Sequence, residues 1–258
     1  MDAGKLFRLD GRVALITGAS SGLGERFAET AAANGAAVVL VARRKERLEA
    51  LKAKIEKAGG RALVAPADVT DRKAMVAAFD AAEKAFGTVD LLVANAGIAR
   101  VTKIVDMTES GWREVLDTNL DAVLFWSREA AKRMIAARKP GAIVTISSIA
   151  GFTVAYGLSS YHVAKAAVVQ VTKALALEVA RKGIRVNTIA PGYIVTEINR
   201  DYLGSKDGQA LQGSIPLGRF GAPSDLDGAF LLLASDAGRL MTGSTIIVDG
   251  GLMLMVGG

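Results

Sequence analysis

Short runs of consecutive apolar residues alternate along the chain with longer segments in which apolar positions recur every three or four residues. The runs Val13–Thr17, Ala37–Val41, Ala62–Ala65, Leu91–Ala94, Ala142–Ser147, Arg185–Ala190 and Thr245–Val248 read as strands. Several are apolar at every position, which is the pattern of parallel strands covered on both faces. Helical periodicity is found near Leu23–Asn34, Lys45–Ala58, Arg72–Phe86, Ser110–Arg138, Ser160–Lys182 and Pro223–Ser235. Strand–helix alternation of this kind predicts an α/β fold: a doubly wound, Rossmann-like parallel sheet of about seven strands with helices on both faces. No linker, repeat or low-complexity tract interrupts the pattern, so residues 1–258 are expected to form a single domain. One segment departs from it. After Pro191-Gly192, the residues at about 193–217 mix glycines with polar and apolar positions and show no period, as a mobile loop over a binding site would.

Composition narrows the classes. The 258 residues are 51% hydrophobic, enough for a large core, and include no cysteine, which removes disulfides and Cys-ligated zinc. The opening stretch lacks the apolar core of a signal peptide, and no run reaches the about 18 apolar residues of a membrane span. A soluble, cytoplasmic protein without membrane partners is the expectation. The net charge of +6 comes from basic residues interleaved with acidic ones, as in the Arg43–Gly60 stretch, which reads as a solvated helix face. That distribution argues against nucleic acid and suits a small anionic ligand.

The first strand runs into the stretch TGASSGLG, with Gly18, Gly22 and Gly24 at the bend. Glycines there permit a tight turn, let backbone approach a pyrophosphate and bring helix and strand close, while the helix N-terminus offers free N–H groups. The spacing is G-x-x-x-G-x-G, and a plain structural turn is the competing interpretation. The second strand supplies a separate test. An acidic residue at its end commonly bonds the adenosine ribose, whereas arginine suits a 2′-phosphate. Here that end carries Ala42, Arg43 and Arg44. A planar guanidinium fork and no repelling carboxylate favour NADP(H) over NAD(H), unless both arginines merely open a solvated helix. Asp68, with Val69 after it, is placed to accept from an adenine amino group, and the turn Ala94–Gly97 (with Asn95, Ala96 and Gly97) leaves room for adenosine. Both are also ordinary turn chemistry.

Tyr161 and Lys165 lie four residues apart in a helical stretch and so share a face. A nearby ammonium favours phenolate and is expected to lower the tyrosine pKa, making it able to exchange a proton with an alcohol or ketone near neutral pH. A surface contact would look the same in isolation. Two further residues give it context. Ser148 follows a buried strand at the edge where ligands bind in such sheets, and Asn119 interrupts a long helical pattern, where it marks either a polar task or a local kink.

TGASSGLG, ANAG, Asn119, Ser148, YHVAK, PGYIVT and VDGG occur in that order, and with them the sequence resembles the short-chain dehydrogenase/reductase family over essentially its whole length. The resemblance implies that Tyr161 is the general acid/base, that Lys165 lowers its pKa and bonds the nicotinamide ribose, that Ser148 positions the carbonyl oxygen and that Asn119 holds a water leading to solvent. It places Gly18, Ser20, Ser21, Gly22, Leu23, Gly24, Arg43, Arg44, Asp68, Val69, Asn95, Ala96 and Gly97 along the dinucleotide. Pro191, Gly192, Ile194 and Thr196 would line the nicotinamide. Ala94 stands where the family usually has a first asparagine, and Ala164 where serine is frequent; neither removes a catalytic group. His162, the chain's one histidine, is read as packing, and no metal is expected.

The implied reaction interconverts a ketone or aldehyde and an alcohol with NADP(H). An NAD-linked polyol or sugar-acid dehydrogenase, faintly suggested by the stretch EINRDYL, and a non-catalytic cofactor-binding regulator are the alternatives. Apolar surplus on the helix near Ser160–Lys182 and on the one carrying Trp112, Leu116, Phe125, Trp126 and Met134 predicts self-association. The family implies a tetramer, and the apolar tail Gly251–Gly258 is expected at an interface. Phe152, Val154, Tyr202 and Leu211 near the expected cleft, with few fixed charges, favour a neutral small-molecule substrate.

Overall fold

A computed structural model describes residues 3–255. Its centre is a seven-stranded, wholly parallel sheet in the order β3-β2-β1-β4-β5-β6-β7. The strands are β1 (Val13–Thr17), β2 (Ala37–Ala42), β3 (Arg61–Pro66), β4 (Leu91–Ala94), β5 (Gly141–Ile146), β6 (Ile184–Pro191) and β7 (Thr245–Val248). Every residue of β1, β2, β4 and β5 is buried, as their unbroken apolar character requires, while the edge strands β3 and β7 are partly open.

The helices are α1 (Gly22–Ala33), α2 (Lys45–Lys57), α3 (Arg72–Phe86), α4 (Glu109–Leu116), α5 (Ala122–Ala136), α6 (Ser159–Val179), α7 (Arg200–Leu203), α8 (Lys206–Gly213) and α9 (Asp227–Ala234). Alternating side chains of β1 serve two cores. Ala14 and Ile16 pack with Phe27 of α1, Leu48 and Leu51 of α2 and Phe230 of α9. Val13 and Leu15 join the cluster of Phe79 on α3, Trp126 and Met134 on α5 and Val168 on α6. The sheet order reverses between β1 and β4, so the crevice beyond their carboxyl ends is the natural ligand site of this topology.

Two elements differ from the sequence pattern. The expected helix over 110–138 is broken by a π-helical turn at Asp117–Asp121, centred on Asn119. The segment after Pro191-Gly192 is less irregular than its composition implies, since it folds the short helices α7 and α8; Ser205 caps α8 by accepting from the N–H of Gly208. Part of the apolar surplus is absorbed internally. Trp126 and Met134 are core residues, whereas Leu177 and Val163 of α6 stay exposed. Val256–Gly258, the end of the apolar tail, lie outside the described residues.

Candidate active site

Six strands, β1 to β6, deliver their carboxyl ends to the crevice, and each loop that follows brings a group the sequence singled out. The β1 turn is built against β4. Thr17 Oγ1 accepts from the N–H groups of Asn95 (3.0 Å) and Ala96 (3.1 Å), and Asn95 Nδ2 donates to the Thr17 carbonyl (3.0 Å). This clasp leaves no room for side chains beneath the turn. A Cβ on Gly18 would lie 2.8 Å from Asn95 Nδ2, and one on Gly24 only 2.3 Å from the Gly18 carbonyl oxygen. Gly18 and Gly22 also hold φ of +69° and +58°, the left-handed region that glycine enters freely. The glycines thus let the turn lie close against β4 and lead into the N-terminus of α1, an arrangement suited to a pyrophosphate. Leu23 lies in the first turn of α1, and Thr196, from the loop after β6, closes the side of Gly22, where an added Cβ would sit 3.4 Å from Thr196 Cγ2. Asn199 holds Thr196 by accepting from its N–H at 2.8 Å.

At the end of β2, Ala42 is buried and the two arginines after it diverge. Arg44 forks onto the turn, donating to Ser20 Oγ (3.0 Å) and Ser21 Oγ (2.7 Å). Arg43 is largely exposed and reaches toward Asp68 (3.9 Å). Asp68 Oδ1 accepts from the N–H and hydroxyl of Thr70 (2.9 and 2.7 Å). Burial pushes the Asp68 carboxyl's pKa up, but those two donors and Arg43 outweigh it and hold it below the usual range. Val69 is buried beside it, its carbonyl accepting from Trp126 Nε1 at 2.9 Å. Arg47 and Glu197, 150 residues apart, form an ion pair of 2.5 Å that links α2 to the loop after β6. Neither residue stands out in sequence, because only the folded loop brings them together.

The second half of the crevice holds the polar residues. Asn119 is fully buried, and its amide clamps Ile98 from both sides: Oδ1 accepts from the Ile98 N–H (2.8 Å) and Nδ2 donates to the Ile98 carbonyl (2.7 Å). The π-turn thus serves both interpretations of this asparagine, since the kink aims the amide at the loop following Ala94. A Cβ on Gly97 would lie 3.2 Å from Asn119 Oδ1 and 3.6 Å from Lys165 Nζ, so these two groups converge where that glycine leaves space.

Lys165 is 3% exposed. Its Nζ donates to the Ile146 carbonyl at the end of β5 (2.8 Å), and its own carbonyl accepts from Ser147 Oγ (2.8 Å), stitching α6 to β5 in both directions. Burial pulls the Lys165 pKa down to about 8. Nζ sits 5.6 Å from the centroid of the Tyr161 ring, within cation–π range. The structure therefore unites the pair, but the tyrosine pKa moves opposite to the expectation from spacing. Burial raises it above the usual value, with the hydrogen bond from Ser148 pulling the other way. The ammonium bonds a backbone carbonyl and faces the ring, while the half-buried surroundings of the phenol disfavour its charged form. Ser148 Oγ accepts from the Ala150 N–H (3.1 Å), capping a short helical turn at Ile149–Gly151. Pro191 ends β6 at the same edge, Gly192 follows it packed against Asp249 of the VDGG stretch, and Ile194 bridges to Gly221.

The comparisons agree with this architecture. The family described as "Enoyl-(Acyl carrier protein) reductase" matches residues 18–253. Galactitol 2-dehydrogenase (L-tagatose-forming) of Cereibacter sphaeroides is 40% identical over 254 residues, covering 97% of this chain and 98% of that protein. The crystal structure of a short-chain type dehydrogenase/reductase from Mycobacterium marinum superposes with a TM-score of 0.92 at 40% identity, over 96% of this chain and 98% of that one. A gluconate 5-dehydrogenase from Burkholderia cenocepacia, solved in complex with NADP and tartrate, gives a TM-score of 0.92 at 36% identity, over 97% and 98% of the two chains.

Proposed function

The chain belongs to the short-chain dehydrogenase/reductase family, and from that premise we propose an NADP(H)-dependent oxidoreductase that interconverts a neutral ketone or aldehyde and an alcohol, with Tyr161 as proton donor and acceptor. One observation carries the proposal: Ser148, Tyr161, Lys165 and Asn119 gather at the same sheet edge as a glycine-rich turn fit for a dinucleotide.

The residues present fit NADP(H). The glycine-rich turn accommodates the phosphates, Arg43 and Arg44 follow a strand end without a carboxylate, and the Gly97 gap opens beside Lys165. Gly18, Ser20, Ser21, Gly22, Leu23 and Gly24 would hold the pyrophosphate, Asp68, Val69 and Asn95–Gly97 the adenosine side, and Pro191, Gly192, Ile194 and Thr196 the nicotinamide. Bound there, the nicotinamide supplies or accepts the hydride. The protein moves the proton. Ser148 Oγ and the Tyr161 hydroxyl hydrogen-bond the substrate oxygen as negative charge develops on it, which stabilises the transition state. In reduction, Tyr161 gives its phenolic proton to that oxygen; in oxidation, the phenolate takes it back. The Lys165 ammonium stabilises the phenolate, and Asn119, whose Oδ1 converges with Lys165 Nζ on the space left by Gly97, would hold a water leading to solvent.

Phe152, Val154 and Tyr156 are exposed along the segment after Ser148, and Ile198 and Tyr202 along the loop after Pro191-Gly192. Walls of this kind support a neutral substrate. The relatives that act on a sugar alcohol and a sugar acid support polyol or sugar-acid oxidation as the second interpretation. A panel of a β-ketoester, a ketosteroid, L-tagatose and a ketogluconate, each assayed with NADPH and NADH at the nicotinamide absorbance, separates them. Turnover confined to the sugars with NADH would refute the first, and no turnover at all would leave a cofactor-binding regulator. The exposed Leu177 and Val163 of α6 and Ile247 on the edge strand β7 support assembly into a tetramer. A monomer by sedimentation at micromolar concentration would refute that.

A further inference from the structure

His162 follows the tyrosine in α6 and is 7% exposed. Its ring is engaged at both nitrogens. The Ala155 N–H lies 2.8 Å from Nε2, and the Ala150 carbonyl 2.7 Å from Nδ1. A backbone N–H can only donate and a carbonyl can only accept. Nε2 must therefore be bare and Nδ1 must carry the proton, which fixes the neutral Nδ1–H tautomer.

The two backbone groups bracket the segment that follows Ser148. Within it, the Ala150 N–H donates to Ser148 Oγ, and the N–H and hydroxyl of Thr153 donate to the Ile149 carbonyl (3.1 and 3.2 Å). Phe152, Val154, Ala155 and Tyr156 are exposed, so apolar packing does little to hold the segment. We propose that His162 is a positioning residue: through Ala150 and Ala155 it ties the substrate-facing wall and the Ser148 hydroxyl to the same helix that carries Tyr161. The two groups that would grip the substrate oxygen then keep one register, although they come from different elements. This inference rests on the function proposed above, and it gives His162 a polar task where its sequence position suggests only packing.

The test uses the whole protein. Because the chain has one histidine, its imidazole nitrogens are assigned without ambiguity in a long-range ¹⁵N–¹H correlation spectrum. At pH 8 the wild-type spectrum is expected to show a protonated Nδ1 and an unprotonated Nε2. An Nε2–H tautomer, or a free-imidazole average, overturns the proposal without need of any variant. Two substitutions then probe the consequence, using the panel carbonyl that turns over fastest with NADPH. H162L removes both hydrogen bonds, and H162Q keeps one donor and one acceptor on a side chain of similar reach. For H162L, kcat/KM for the carbonyl is expected to fall about 10- to 100-fold, the scale of an ångström-sized misplacement, with the Kd for NADPH within about twofold of wild type. H162Q is expected to recover most of the loss. Unchanged kcat/KM in H162L, equal losses in both variants, or a parallel loss of NADPH affinity would each refute it. If H162L does not fold, the tautomer and H162Q still decide. Wild-type turnover in a Tyr161→Phe variant would instead sink the proposed function while leaving the tether intact.

Discussion

Replacing Lys165 with methionine tests whether the ammonium is held in the crevice against its own preference for water. Burial takes its pKa from the ordinary 10.5 to about 8. The folded protein therefore gives up this proton before the unfolded chain does. Between pH 8 and 10.5 the unfolded state binds more protons, so wild-type stability rises with pH across that window, and below pH 8 the full penalty for the buried charge applies. At about 1.36 kcal/mol per pH unit, the penalty relieved between pH 7 and pH 10 is about 2.5 kcal/mol. K165M carries no such group, so the stability of wild type relative to K165M should climb by about that amount over the range. The absolute difference at pH 7 is a weaker readout, because losing the bond to the Ile146 carbonyl offsets part of the gain from removing the charge, by about 1–3 kcal/mol. That offset is nearly constant with pH and drops out of the trend. Urea unfolding of both proteins without nucleotide at pH 7, 8, 9 and 10 measures it. A difference that stays flat from pH 7 to 10 would refute the claim that Lys165 is buried as a strained cation.

Tyr161→Phe should bind NADPH with a Kd within about threefold of wild type and lose turnover by roughly 10²- to 10⁴-fold, the scale of general acid–base catalysis; fluorescence titration and steady-state rates check the two halves. Substituting Arg43, the arginine not engaged with the glycine turn, by alanine should weaken NADPH about 10- to 100-fold, as expected for losing a charge-assisted contact to a phosphate, while NADH changes less than about threefold; equal losses would remove the basis for the NADP(H) preference. Because burial raises the Tyr161 pKa, alcohol oxidation, which needs the phenolate, should accelerate with pH through the alkaline range, and carbonyl reduction should stay level across neutrality; kcat/KM measured in both directions from pH 6 to 10 shows it, and an oxidation rate that falls with pH would contradict the assignment.

The sheet is legible in the sequence because β1, β2, β4 and β5 are covered on both faces, and that burial writes itself as unbroken apolar runs. The glycine turn is legible for a related reason, since Asn95 and the Gly18 carbonyl leave no space for a side chain. Features that depend on partners far along the chain are not. Asn119 reads as an anomaly in a helix, yet the π-turn answers to Ile98, a loop residue that no periodicity identifies. His162 reads as packing because its partners are backbone atoms of Ala150 and Ala155, which carry no sequence signature. Helices α7 and α8 are too short and glycine-rich to show a period. The Tyr161 pKa misleads for another reason: spacing reports that a charge is near, and says nothing about how much water the phenol has lost.

That last difference bears on how the site works. A phenol held above its usual pKa keeps its proton at neutral pH, and Lys165, with a pKa of about 8, keeps its own. The protein without substrate thus presents a protonated donor with a cation 5.6 Å from the centre of its ring, the state that reduction requires at the outset. In the proposed mechanism, negative charge developing on the substrate oxygen is what makes the proton worth releasing, and the ammonium steadies the phenolate only once it forms. The Lys165–Ile146 bond fits this order of events. It holds the cation at the strand end, close enough to act on the ring yet satisfied while the tyrosine is neutral. On the proposed mechanism, the stability lost in burying that charge is the source of a field aimed at a charge that appears only during turnover.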